Sequence, residues 1–155
     1  MQRRLIALMI AGIITILDQI TKLLVSRFHP NFKVIPGFFN IHYVENTGAA
    51  FGILQDHQTL LIMVSVVALG VLGFLIVSDR EGKSGVLYGL GLILGGTCGN
   101  LVDRVRLRYV VDFLQLHIKQ YYWPSFNVAD SAITIGVAIL VIMTLQQERK
   151  SEKTS

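Results

Sequence analysis

The sequence predicts an α-helical membrane protein of four transmembrane helices with a small β-sheet outside the bilayer, and three observations lead there. First, 52% of the 155 residues are hydrophobic and 15% charged, with positive mean hydropathy, whereas a soluble domain of this size carries about 25% charged residues. Second, four apolar runs are each about long enough to cross a ~30 Å hydrocarbon core as a helix. Residues 59–77 and 85–102 contain no charge, 5–26 carry only Asp18 and Lys22, and 126–145 only Asp130. Third, two links between the runs are rich in β-branched and aromatic residues, the composition of strands. A soluble bundle of buried helices is the alternative, and four such runs in one short chain weigh against it.

The first run opens Met-Gln-Arg-Arg like a secretory signal peptide, but it is longer than a signal-peptide core and no small-residue cleavage site follows, so it reads as a retained helix. The following link, residues 27–58, contains Lys33 to Val44, a β-rich stretch broken by the Pro36-Gly37 turn signal, and reads as one or two short strands. The link 104–125 contains a similar stretch from Tyr109 to Ile118, where Leu114, Leu116 and Ile118 alternate with Gln115 and His117. A sheet apolar on one face can rest on the bilayer surface, and Tyr121, Tyr122 and Trp123 suit the aromatic belt at headgroup level. No repeat or linker divides the chain, which is read as one membrane domain over 1–155 with a short polar, disordered tail from about 146.

Four spans put both termini on one side. Arg3 and Arg4, Arg80 and Lys83 in the short link 79–84, and Arg149, Lys150 and Lys153 place that side in the cytoplasm by the density of positive charge near span ends, although Arg104, Arg106 and Arg108 cluster opposite. The net charge of +4 follows from topology and anionic headgroups, and no basic stripe with interleaved aromatics marks a nucleic-acid surface. The lone Cys98 gives neither an intramolecular disulfide nor a cysteine metal site, and His29, His42, His57 and His117 all lie in the links without metal-ligand spacing.

Within the third run Gly91, Gly95 and Gly99 recur every four residues and offer one face for close helix approach. Gly96, Asn100 and Arg104 form the adjacent stripe, which either turns polar toward a site or merely caps and snorkels at a helix end. Asp18 and Lys22 are spaced i, i+4 and read as a structural pair, able also to bond the Asn46-Thr47-Gly48-Ala49-Ala50-Phe51 turn, where Asn46 and Gly48 tolerate unusual backbone angles. Asp112 in Val110-Val111-Asp112-Phe113 and Asp130 in Phe126-Asn127-Val128-Ala129-Asp130 are ionisable groups at the edge of apolar stretches, a position that marks function.

Other hydrolytic chemistries find little support. Gly82-Lys83-Ser84-Gly85 lies in the charged link with no histidine in any span to serve as base, and Val77 stands where a phosphate-binding loop needs glycine. Paired aspartates remain: two close carboxylates share one proton, so that one takes a proton from water while the other protonates the leaving nitrogen. This chemistry requires Asp112 and Asp130 to meet in space. A small ion-coupled transporter using Asp18, Asp112 and Asp130 as relay sites, and a noncatalytic assembly factor, are the competing readings, the first weakened by the lack of broken-helix repeats.

Five motifs, Asp18 to Lys22, Asn46 to Phe51, Gly95 to Arg104, Val110 to Phe113 and Phe126 to Asp130, resemble those of lipoprotein signal peptidases, the bacterial signal peptidase II family, in order and interval over nearly the whole chain. Thr97 and Cys98 depart from the small or apolar residues of many relatives without touching the site. The resemblance implies an aspartyl endopeptidase of the bacterial cytoplasmic membrane that cuts prolipoproteins before the diacylglyceryl-modified cysteine. It implies Asp112 and Asp130 as the dyad, Asn46, Gly48, Gly96, Asn100, Arg104 and Asn127 as residues lining or supporting the site, and Asp18 and Lys22 as a supporting pair. It further implies four helices with an extracytoplasmic β-cradle and a neighbouring mobile helix, an active site near the outer surface, no metal or organic cofactor, lipid-modified prolipoproteins and membrane lipids as partners, a monomer, and inhibition by globomycin-type compounds.

Overall fold

The structure, a computed structural model, describes residues 1–49, 53–79 and 84–152, with side chains as far as Arg149. The chain runs α1 (Gln2–Phe28), β1 (Asn31–Ile35), β2 (Phe39–Asn46), α2 (Gln58–Ser78), α3 (Ser84–Leu107), β3 (Val110–Ile118), β4 (Tyr121–Tyr122) and α4 (Val128–Glu152). All four helices are long and apolar enough to cross a membrane, and the strands form one antiparallel sheet in the order β1-β2-β3-β4. Ala50 and Phe51 of the third-link motif, and Arg80 and Lys83 of the short link, lie outside the described residues.

Helix α3 is the centre of the bundle because its glycines admit two neighbours at backbone distance. A Cβ on Gly91 would stand 2.5 Å from the Ala7 carbonyl oxygen, and one on Gly95 2.6 Å from that of Ala11. A Cβ on Gly99 would collide with the Asp18 carboxylate, so the whole Gly91-Gly95-Gly99 face receives α1. The opposite side receives α4: Gly89 meets the Gly136 carbonyl, and Gly96 lies against that of Ala129. Apolar packing between lipid-immersed helices has no water to escape, so close van der Waals contact of this kind carries association.

The bundle core is divided by chemistry along its length. Toward the 79–84 link, Ala7, Ile76, Leu87 and Leu90 form a buried apolar cluster with Leu140 packed on it. Toward the sheet, the buried residues are Asp18, Lys22, Asn100, Asp103 and Arg104. The outer flanks are greasy, with Val67 and Phe74 of α2 66% and 69% exposed, as lipid-facing positions require.

β1 and β2 form a hairpin across the Pro36-Gly37 turn, where Gly37 adopts φ +81°. The β2–β3 register sets Val44 opposite Asp112, with a bulge between Ile41 and Val44. Phe126 then pairs back on β3: its carbonyl accepts from the Leu114 amide at 2.8 Å and its amide donates to the Leu114 carbonyl at 3.0 Å. That short bridge brings the first turn of α4 against the strand carrying Asp112.

Three expectations are corrected. The polar segment after residue 146 continues α4 to Glu152, because Gln146, Gln147, Glu148 and Arg149 are good helix formers with no glycine or proline among them. The alternation expected in β3 is not found: Leu114, Gln115 and Leu116 are all half-buried, and at the end His117 is buried and stacks on Tyr122 at 4.7 Å while Ile118 is exposed, since β4 covers the histidine side. Gly48 is not the strained residue of its turn, Gly37 being the glycine of positive φ among the described residues.

Candidate active site

Asp112 and Asp130 arrive from different elements and are joined by one residue. Asn127, fully buried, donates from Nδ2 to Asp112 Oδ1 at 2.7 Å and from its backbone N–H to Asp130 Oδ2 at 3.1 Å. It holds this place as the N-cap of α4: its Oδ1 accepts from the Asp130 amide at 2.9 Å while Asp130 reaches back to the Asn127 amide. This is a capping box with aspartate in the third position, so the local fold of Asn-Val-Ala-Asp and the seating of Asp130 are the same interaction.

Two further amides address the carboxylates. Asn46 Nδ2 donates to Asp112 Oδ2 at 2.9 Å, along the diagonal from its own strand position. Its Oδ1 is held by the Gly48 amide at 2.9 Å, an Asx-type turn that accounts for the motif in place of backbone strain. Asn100 Nδ2 donates to Asp130 Oδ1 at 2.8 Å, and its Oδ1 accepts from Lys22 Nζ at 2.8 Å and from Asn127 Nδ2 at 3.2 Å. Burial first, and the Asp130 charge second, push Asp112 up to about 7, against the lowering effect of the Asn46 and Asn127 hydrogen bonds.

Asp18 and Lys22 meet as their spacing predicts, at 2.8 Å, and turn to α3 and α4 for their other bonds. Lys22 also pairs with Asp103 at 3.0 Å, and Asp18 Oδ1 accepts the Ala129 amide at 2.9 Å, in the first turn of α4. Arg104 is buried rather than snorkelled. Its guanidinium donates to the Gly48 carbonyl at 3.1 Å, and its Nε has no partner among the described residues. Gly96 lines nothing itself; it lets α4 approach close enough for Asn100 to reach Asp130.

The structure adds two residues that spacing did not single out. Asp103 Oδ2 accepts the Val111 amide at 3.1 Å, beside Asp112, and Gln19 Nε2 donates to Asp103 Oδ1 at 3.0 Å and to the Gly99 carbonyl at 3.1 Å. Both sit inside quoted motifs, and an i, i+3 step from Asn100 to Asp103 was the available signal.

Above the two carboxylates lies an open cavity of about 960 Å³, lined among others by Asn46, Asn100, Arg104, Asp112, Asp130 and Trp123. It runs along α4 past Thr134 to Ile135, which is half exposed on the helix flank, so the cavity opens sideways as well as toward the sheet. Among the described residues no group of three or more His, Cys, Asp or Glu is placed to hold a metal ion.

Known proteins with this chain's features agree with one another. The family model described as signal peptidase (SPase) II matches residues 10–146. A lipoprotein signal peptidase of Syntrophus aciditrophicus (strain SB) is 41% identical over 97% of this chain and 99% of the relative. One of Geobacter sulfurreducens is 46% identical over 87% and 88% respectively. Two solved bacterial membrane enzymes share the fold: one with a TM-score of 0.85 and 34% identity over 92% of this chain and 88% of that one, the other with 0.80 and 35% over 90% and 92%.

Proposed function

This chain belongs to the signal peptidase II family of aspartic peptidases, and from that premise we propose that it removes signal peptides from prolipoproteins by cutting immediately before the diacylglyceryl-modified cysteine, with Asp112 and Asp130 activating one water. The observation that carries the reading is the Asn127 bridge, which ties both carboxylates to one buried residue at 2.7 and 3.1 Å.

In this mechanism Asp112 holds the shared proton below about pH 7 and Asp130 is the base. Water gives a proton to Asp130 as its oxygen attacks the scissile carbonyl, and Asp112 delivers its proton to the departing amide nitrogen. Arg104, whose guanidinium donates to the Gly48 carbonyl at the cavity wall, sets a positive charge beside both carboxylates and the reacting group. The sideways opening along α4 suits a substrate anchored by acyl chains. Tethering in the membrane holds the scissile bond at one depth, and positioning of this kind supplies a large part of a rate enhancement. Globomycin-type inhibitors would fill the same cavity, and one chain suffices because both carboxylates come from it. The test compares one precursor with and without its diacylglyceryl group: cleavage of the lipidated form alone, with no ion gradient, is expected, and cleavage of neither overturns the reading.

The pH dependence follows from Asp112. A proton lost as pH rises through about 7 removes the acid, so kcat/KM falls on the alkaline side, while protonation of both carboxylates lowers it on the acid side. The Asn46 hydrogen bond acts to lower the Asp112 value, so Asn46→Ala is expected to move the alkaline limb to higher pH. An unmoved or lowered limb in a kcat/KM profile contradicts the assignment.

For orientation, the reading is a multi-pass protein of the bacterial cytoplasmic membrane with both termini inside and the sheet outside, supported by the Arg and Lys residues within the short link 79–84 and near both termini. In a Cys98→Ser background, an impermeant thiol reagent is expected to label Lys119→Cys on intact cells and Arg3→Cys only after permeabilisation. The opposite pattern inverts the topology.

A further inference from the structure

The three amides that donate to Asp112 and Asp130 are each held by the oxygen. For Asn46 and Asn127 the holder is a backbone amide, that of Gly48 and of Asp130. For Asn100 it is Lys22 Nζ. An ammonium has only hydrogens to give, so it accepts one orientation of the Asn100 amide and repels the flipped one. Its three hydrogens meet three acceptors, Asp18 at 2.8 Å, Asp103 at 3.0 Å and Asn100 at 2.8 Å. The two carboxylates aim the third hydrogen, and each is anchored next to one member of the dyad: Asp18 on the Ala129 amide beside Asp130, and Asp103 on the Val111 amide beside Asp112.

We infer that Lys22 is a positioning residue for the reaction: through Asn100 its ammonium directs one amide N–H to Asp130, and by occupying the same oxygen as Asn127 it orders the amide that faces Asp112. The inference deepens the reading of Asp112 and Asp130 as the catalytic pair and rests on it. Lys22 is buried, and its ion pairs among the described residues are with Asp18 and Asp103, so its influence on the dyad passes through Asn100 and through the field of its charge. The charged groups facing the dyad are Lys22 and Asp18 from α1 and Arg104 and Asp103 from α3.

The test is kinetics on the full chain in nanodiscs with a diacylglyceryl-modified precursor. Lys22→Gln is expected to lower kcat on the order of 10²-fold, the size of one lost directed donor, with KM unchanged within about threefold. The pH profile of kcat should change with it, because the base has lost a donor. An unchanged profile and an unchanged kcat per folded molecule, with only the yield reduced, would overturn the inference. Asn100→Ala should show the same loss, and combining the two should cost no more than about threefold beyond either alone, whereas additive losses overturn it. If Lys22→Gln does not fold, Asn100→Asp keeps an acceptor for Lys22 and removes the donor to Asp130. Its new carboxylate faces Asp130 across what was a 2.8 Å hydrogen bond, so it should lose some thermal stability yet, per folded molecule, show the same loss of turnover with a changed pH profile, and wild-type turnover there also overturns the inference. Asp130→Asn separates the two levels: retained turnover defeats the dyad itself, while abolished turnover with an additive cycle defeats only the part given to Lys22.

Discussion

Asp112→Asn and Asp130→Asn are each expected to abolish cleavage while leaving the protein folded and able to bind the lipidated precursor. Asparagine keeps the size of aspartate and one acceptor oxygen, so one of the two donors on each carboxylate keeps its partner, while the other, from Asn46 or Asn127 at Asp112 and from Asn100 or the Asn127 amide at Asp130, meets an NH2 group instead. What is lost is the ability to take or give a proton, and general acid–base chemistry of this kind contributes about 10²–10⁴-fold per group. The two losses do not multiply, because a dyad that shares one proton is disabled by either change, and the double variant should be scarcely slower than a single one. Asp112→Asn also removes a buried carboxyl that burial pushes up to about 7. Above that pH the wild-type protein carries a charge there that folding disfavours: the folded-state value is raised, so the native state is favoured at low pH and loses that advantage as pH rises through about 7. At pH 8 the variant is relieved of that charge but leaves one buried donor without an acceptor, so its thermal stability should stay within about 1–3 kcal/mol of wild type while it is inactive. Turnover above about 1% of wild type by either single variant, in a preparation free of wild-type enzyme, would move the chemistry to another carboxylate such as Asp103.

Much of this architecture was legible because its signals are local. Charge-free runs fix helices by length, the Gly91-Gly95-Gly99 spacing fixes the face that α1 covers, and Asp18 and Lys22 meet because a helix brings i and i+4 together. The Pro36-Gly37 signal fixed a hairpin for the same reason. What the spacing left open was non-local. Nothing in residues 110–113 or 126–130 alone says that Phe126 pairs with Leu114, yet that bridge is what brings Asp112 to the first turn of α4. The choice between a snorkelling Arg104 and a buried one was equally undecidable from the α3 stripe, since it depends on the Gly48 carbonyl contributed from the turn that follows β2. The bonds of Asp103 were not readable from its spacing because its partners lie on α1 and at the start of β3. The capping box at Asn127 and Asp130 could have been found, since Asn-x-x-Asp before an apolar run is a helix-start pattern with a short acid in place of the usual longer one.

Asn127→Ala should combine a folding defect with near-complete loss of turnover, because Asn127 serves both purposes with the same atoms. Removing its side chain deprives the Asp130 amide of its cap and Asp112 Oδ1 of its 2.7 Å donor, and takes away the link to Asn100. A lost N-cap and an orphaned buried acceptor at Asp112 Oδ1 together are worth roughly 2–4 kcal/mol, which should appear as a lower melting temperature in the same membrane mimetic. The catalytic loss is separable with Asn127→Ser. A serine hydroxyl caps a helix nearly as well as asparagine, so most of the stability should return. It is too short to reach Asp112 and Asn100 while capping, so the two carboxylates lose their common tether and turnover should remain down by about 10²-fold or more. Recovery of turnover in step with stability in Asn127→Ser would mean that Asn127 acts on the reaction only by starting α4, and the alignment of Asp112 with Asp130 would then rest on Asn46 and Asn100 alone.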